Sequence, residues 1–212
     1  MTFWGRPERL TAINAANENT DYLPGIALPS DWKLEPDFVT ALSEAEGVII
    51  AVPSSSFNEI TGQLGDFKGI AVSVTKGIEH QTGRTMAGLI EADAPNATPV
   101  ALSGPSLAAE VARGIPTALV CASENVTAAK TVQDWFHRPT LRMYTSTDVL
   151  GVELGGALKN VMAIAAGVCD GLQLGDNAKA ALITRGLNEM RRLGTAAGAL
   201  PETFSGLSGM GD

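Results

Sequence analysis

The chain has 212 residues, 45% of them hydrophobic, and a formal net charge of −8 with no run rich in lysine or arginine. Such acidity excludes nucleic acid and anionic membranes as main partners, and the apolar fraction supports a sizeable core rather than disorder. No apolar run reads as an integral membrane segment and no signal-peptide pattern opens the chain, while Cys121 and Cys169, far apart in sequence, read as free thiols of a reducing cytoplasm.

In chain order, Thr2-Phe3-Trp4 predicts a short strand and Pro7 to Asn17 a helix. The apolar run Gly47–Val52, ended by Pro53, predicts a buried parallel strand. Ser56 with Glu59 three residues later has the form of a capping box for the next helix. Strands follow at Ile70–Val74, Val100–Leu102, Thr117–Cys121 and Leu141–Tyr144. Helices alternate with them at Thr85–Ala92, Ala108–Arg113 and Val126–Phe136. This alternation implies an open, mostly parallel α/β sheet. After Asp148 the strand signals stop, and two long helices are expected over 149–169 and 176–197, with a third opening at Pro201. A boundary near residue 148 therefore divides an α/β domain, 1–148, from the start of an all-helical one, 149–212.

Ligands of such sheets bind at the carboxyl ends of the strands. Val52-Pro53-Ser54-Ser55-Ser56-Phe57 offers hydroxyls and a ring there. Val74-Thr75-Lys76-Gly77 offers a cation beside a flexible glycine. Ser103-Gly104-Pro105-Ser106 offers close backbone approach and a helix N-terminus, a natural anion site. Taken singly, Ser56 and Ser106 would be plain helix caps and Lys76 a solvated loop lysine; their sharing one sheet edge is what favours a site. His80 and His137 do not cluster with other ligand types, so no metal site is expected.

The first long helix carries one lysine, Lys159. Leu154, Leu158, Val161, Met162, Ala165, Val168 and Leu172 keep helical spacing and define an apolar core face. Gly155, Lys159, Ala163 and Gly167 are four apart and stack as a stripe of small residues around the lysine. The stripe leaves room for a ligand or for another backbone. A partly desolvated ammonium there suits proton transfer, whereas a lone helix lysine otherwise snorkels to water. Asp170-Gly171 reads as a turn, and Asp176 or Asn177 as the cap of the second helix. No Gly-x-Gly-x-x-Gly turn occurs, although Phe3-Trp4-Gly5-Arg6 looks like the second strand of a dinucleotide-binding half, whose end meets the adenosine ribose.

The run from Gly156-Ala-Leu-Lys-Asn-Val-Met-Ala through Asp170-Gly171 to Gly175-Asp-Asn177 resembles the signature of the NAD(P)-dependent glycerol-3-phosphate dehydrogenases, bacterial type. Tyr22-Leu-Pro-Gly25, Val52-Pro-Ser54, Val74–Gly77, Ser103–Ser106 and Gly209-Met-Gly-Asp212 fall in the same family's order. The resemblance implies a Rossmann domain followed by an all-α domain. It implies interconversion of dihydroxyacetone phosphate and sn-glycerol 3-phosphate with NAD(P)H, for phospholipid precursor synthesis. By position, Lys159 matches the general acid/base. Lys76, Gly104, Ser106, Lys159 and Asp212 match substrate contacts, and Arg6, Phe57, Lys76 and Ala108 match cofactor contacts. A cytoplasmic location and a possible homodimer go with it. The family's glycine-rich first βα unit and its run after Asp212 are not found, so the pattern matched is truncated at both ends. Two other readings stay open: an inactive or binding domain derived from the family, and a related two-domain hydroxyacid dehydrogenase.

Overall fold

The computed structural model describes residues 1–211. Two sheets are present among them. The smaller pairs β1 (Thr2–Trp4) with β2 (Lys33–Glu35), joined through α1 (Pro7–Ala16). After α2 (Phe38–Leu42) comes the larger sheet, in the order β3 (Gly47–Ile50), β4 (Ile70–Ser73), β5 (Thr98–Ser103), β6 (Thr117–Ala122), β7 (Leu141–Ser146). Only the β5–β6 pairing is antiparallel, so the sheet is mostly parallel, as its apolar runs predict.

The connecting helices are α3 (Ser54–Leu64), α4 (Met86–Asp93), α5 (Ala108–Ala112) and α6 (Val126–Phe136). They cover both faces of the sheet. Ala71 and Val72 are neighbours on β4 and both fully buried, yet they belong to different clusters. Ala71 packs with Phe57, Met86 and Ile90 beneath α3 and α4, while Val72 packs with Val100, Val132 and Met143 beneath α6. Adjacent strand residues point to opposite faces, so strands buried on both faces read as unbroken apolar runs.

Caps decide where several helices begin. The side chains of Asp37, Thr85 and Asn125 accept from backbone N–H groups in the first turns of α2, α4 and α6. Two expected caps are corrected. The α3 helix starts at Ser54 with Pro53 before it, and the Ser56 N–H donates to the Pro53 carbonyl, so Ser56 lies inside the first turn. The proline fixes φ for helix entry two residues earlier than the capping box implied. Leu107, not Ser106, precedes α5.

The last third is a helical hairpin, α7 (Val149–Gly171) and α8 (Gly175–Ala196), followed by a 3₁₀ turn at Pro201–Ser205. Leu174 stands at the start of α8, so neither Asp176 nor Asn177 caps it; Asp170 instead forms an ion pair with Lys179 across the hairpin, 2.7 Å. Asp148 organises this region. One carboxylate oxygen caps α7 at the Gly151 N–H, and the other accepts from the Leu200 N–H at 3.0 Å and the Thr203 hydroxyl at 2.5 Å. Residues 151–156 of α7 are buried, and Val152 packs against Ala101 of β5 and Ala122 of β6.

Beyond Lys159 the expected core face of α7 is half right. Leu158 and Met162 pack against the Leu154–Met190–Phe204 cluster, but Val161, Val168 and Leu172 are exposed, as is Ile164. Periodicity identifies the stripe, not what covers it. The 23-residue α7 contains an 18-residue window of mean hydropathy 1.4, enough by length and composition alone to cross a bilayer. Here its first turns are packed into the sheet, and it carries Glu153 and Lys159.

Candidate active site

Three strand ends meet at the carboxyl edge of the larger sheet. The Thr75 hydroxyl donates to the Val52 carbonyl at 2.6 Å, tying the loop after β4 to the end of β3. Gly77 has φ of +149°, and a side chain there would meet Ser54 at about 3.0 Å, so backbone alone fits. From the same loop the Lys76 ammonium donates to the Gly104 carbonyl at 3.3 Å. That carbonyl also accepts from the Ser106 hydroxyl at 3.1 Å. Gly104 has φ of +137°, and a Cβ there would stand 3.1 Å from the Ala118 carbonyl oxygen of β6. The sharp turn after β5 is therefore a glycine position on two grounds, conformation and space. Lys76, Gly104 and Ser106, read separately from sequence, form one hydrogen-bonded group.

The α7 helix closes this group from the side. A Cβ on Gly156 would lie 2.7 Å from the Ser103 hydroxyl and 3.6 Å from Cγ of Lys76, so the glycine lets α7 pass directly over them. A Cβ on Gly155 would lie 2.7 Å from the Ser208 carbonyl oxygen and 3.3 Å from the Gly209 nitrogen. The other side of α7 is thus pressed on the backbone of the turn after Phe204. Lys159, half-buried, follows Gly156 by three residues and Gly155 by four, so it stands on the face these contacts define, about 5 Å further along. The small-residue stripe proves to be a close backbone approach at Gly155, while Gly167 at its far end meets open space.

The remaining sequence-predicted residues fall elsewhere. Ala108 opens α5 and is exposed. Arg6 is exposed at the carboxyl end of β1, immediately before α1. The Phe57 ring is fully buried among Ile50, Leu64, Met86 and Ile90, so it supports the ledge from the core and presents no surface of its own. Asp212 lies outside the described residues.

Sequence reasoning missed Glu153. It is buried on α7, and one carboxylate oxygen accepts from the Ala87 N–H of α4 at 2.8 Å. Burial pushes its pKa up, with Glu91 adding to the rise; the Thr85 hydroxyl and the Ala87 and Met86 N–H groups oppose it. A carboxylate inside Val149-Leu-Gly-Val-Glu-Leu-Gly-Gly was the available signal, since acidic residues are seldom fully buried without a purpose.

A mostly parallel sheet with reactive groups at its carboxyl edge, closed by a helical hairpin, defines the Rossmann-type α/β class with an appended helical region. Comparison narrows this: residues 1–129 match the family described as NAD-dependent glycerol-3-phosphate dehydrogenase N-terminus, and residues 148–212 match its C-terminus. The chain belongs to the NAD-dependent glycerol-3-phosphate dehydrogenase family. It is 48% identical to glycerol-3-phosphate dehydrogenase [NAD(P)+] of Thioalkalivibrio sulfidiphilus, over 100% of this chain and 65% of the relative. With the Bacillus pumilus protein of the same name the identity is 47%, over 99% of this chain and 63% of that one. Glycerol-3-phosphate dehydrogenase from Coxiella burnetii superposes with a TM-score of 0.94 at 37% identity, covering 100% of this chain and 66% of that structure. The Plasmodium falciparum enzyme gives 0.90 at 27% identity, covering 98% and 61%. The chain thus spans less than two thirds of the length of these curated relatives.

Proposed function

We propose that this chain carries the proton-transfer and substrate-orienting part of an NAD(P)H-dependent dehydrogenase that interconverts dihydroxyacetone phosphate and sn-glycerol 3-phosphate. The observation that carries the reading is the convergence of Lys76, Gly104 and Ser106 beneath the α7 face bearing Lys159. A dihydronicotinamide bound at this edge would supply the hydride for the ketone carbon. As the carbonyl π electrons move to oxygen, the Lys159 ammonium gives its proton to that oxygen, leaving a secondary alcohol and a neutral amine. Before transfer, the same ammonium offsets the charge developing on oxygen. Lys76, held at the Gly104 carbonyl, places a second cation beside the reacting group, and Ser106 fixes that carbonyl from the other side.

The strand ends fit the nicotinamide end of such a cofactor, because Gly77 and Gly104 present bare backbone at the sheet edge. The sequence holds no Gly-x-Gly-x-x-Gly turn, so these residues supply no pyrophosphate clamp of that kind. The two domains fall at residues 1–148 and 149–212, with α7 bridging them. Cys121, whose thiol burial pushes up to about 11, and the buried Cys169 suit a reducing cytoplasm and no redox role.

The test places these residues between the flanking segments of the Thioalkalivibrio relative and follows NADH oxidation with dihydroxyacetone phosphate. Turnover is expected, and Lys159→Ala should lower kcat by about 10²–10⁴-fold with cofactor affinity unchanged. Unaltered kcat in that variant would remove Lys159 from the mechanism.

A further inference from the structure

Two buried side-chain oxygens have no hydrogen-bond partner among the described residues: Ser103 Oγ and Glu153 Oε2. Both residues line one cavity of about 10 Å³, whose wall also includes Ser73, Thr75, Lys76 and Gly156. That volume is room for the centre of a single water, and a buried water needs two to four polar partners. The walls provide them. Glu153 is anchored from α4 by the Ala87 N–H through one oxygen, which leaves the second without a partner in a residue that lines the cavity. Ser103 is the last residue of β5, and its hydroxyl stands where Gly156 has no Cβ. The stem of Lys76 passes the same point.

We propose that Glu153 and Ser103 together hold one ordered water in this cavity against the stem of Lys76, which makes Glu153 a positioning residue for the Lys76 ammonium. The water bridges the Ser103 hydroxyl to Glu153 Oε2, so neither oxygen is left unsatisfied in a buried site. It also joins three elements, β5, α7 and the loop after β4, at the point where Lys76 turns toward the Gly104 carbonyl. Without the bridge the lysine stem has a void beneath it and more rotamers open to it. The catalytic meaning of this arrangement rests on the dehydrogenase reading; the arrangement itself does not.

The test therefore uses the 212-residue chain without substrate or cofactor. Lysines are acylated briefly with an activated acetate ester, and mass spectrometry compares Lys76 with the exposed Lys33, Lys68 and Lys130. Ser103→Ala and Glu153→Leu should each raise the relative rate at Lys76 by roughly fivefold, the weight of one hydrogen bond. Glu153→Gln keeps an oxygen and adds a donor, so it should hold the rate within about twofold of the parent. A merely structural role for Glu153 would not distinguish Gln from Leu in a folded protein. Should Glu153→Leu fail to fold, Ser103→Ala decides alone. A crystal structure at a resolution that shows ordered water should place density between the two oxygens. An unchanged Lys76 rate in folded Ser103→Ala, or a direct Ser103–Glu153 hydrogen bond with no water between them, would overturn the proposal. Either result reads the same whether or not the reconstituted enzyme turns over.

Discussion

Gly155 and Gly167 lie on one helix, three turns apart, and belong to the same four-residue stripe, yet alanine at the two sites should change stability in opposite directions. In a helix interior, glycine is worse than alanine by about 0.5–1 kcal/mol, chiefly through backbone entropy. At Gly167 an added Cβ meets nothing within 4 Å, so Gly167→Ala should recover that amount in full. At Gly155 the same methyl would stand 2.7 Å from the Ser208 carbonyl oxygen and 3.0 Å from its carbon. Those are backbone atoms of a tight turn, not the end of a mobile side chain. Ser208 is 1% exposed, and the turn is closed by the Met210 N–H on the Phe204 carbonyl, so it has little freedom to retreat. Overpacking of this kind costs about 1–3 kcal/mol. Since the obstacle is backbone, the upper half of that range applies, and the net effect of Gly155→Ala is a loss of about 1–2 kcal/mol after the propensity gain. Urea unfolding followed by tryptophan fluorescence would measure both. Limited proteolysis should find the segment after Phe204 cut sooner in Gly155→Ala alone. Shifts of the same sign, or a Gly155→Ala protein as stable as the parent, would show that α7 does not rest on that turn.

Glu153 sets a pH dependence whose sign follows from its raised pKa. A carboxyl that binds its proton more tightly folded than unfolded makes stability fall as pH rises above the ordinary value of 4.5, until the folded group has also ionised. Glu153→Gln should remove that descending slope, and urea midpoints measured across pH that remain parallel for the two proteins would contradict it. In the flanked enzyme, Arg6→Ala should weaken NADPH use by about tenfold or more and NADH use much less, because a guanidinium at the end of β1 can pair with the 2′-phosphate. Equal losses with the two cofactors would make Arg6 a solvent-facing residue only.

Long periodic segments were legible in the sequence: α6 falls on Val126–Phe136 as read, and the α7–α8 hairpin within two residues at each end. Short ones were legible only in part: β1 and α5 were read, β2 and α2 were not. Three residues of β2 and five of α2 carry too little periodicity to separate strand from loop, and both are fixed by neighbours: β2 by pairing with β1, α2 by Phe38 against Trp4. At the candidate site, loop chemistry flagged Lys76, Gly104 and Ser106 because positive-φ glycines and hydroxyls announce turns locally. Glu153 was silent because its significance lies in Ala87, Ser103 and Lys76, all more than forty residues away in sequence. Phe57 shows the opposite limit, since a ring beside a strand end reads the same whether it faces a ligand or the core.

The division into two sheets leads to the last prediction. Among the described residues β3 pairs only with β4, and β1 only with β2. The Ile70 N–H donates to the Glu46 carbonyl and the Val74 N–H to the Ile50 carbonyl. In a parallel ladder this directs the backbone groups of the even residues of β3 toward β4. Those of Gly47, Ile49 and Ala51 point to the outer edge. Ile49 is 41% exposed whereas Ile50 is 2% exposed beneath α3 and α4, so the opposite face of β3 is left partly uncovered as well. Hydrogen exchange on the 212-residue chain should therefore find the Ile50 amide protected and the Gly47, Ile49 and Ala51 amides exchanging by local opening, orders of magnitude faster. The same edge leads directly into Val52-Pro53-Ser54, the ledge against which Gly77 packs, so fraying of β3 loosens that side of the candidate site. The isolated chain should accordingly bind NADH too weakly to register by isothermal titration and should not reduce dihydroxyacetone phosphate at a useful rate, since positioning can supply about 7–11 kcal/mol of barrier reduction. Unpaired parallel edges are also templates for association, so aggregation should rise with concentration. Protection at Ile49 equal to that at Ile50 would mean that another strand covers β3. Together with tight NADH binding and turnover by the purified chain, it would show that the sheet edge is complete and that the glycine-rich turn is dispensable.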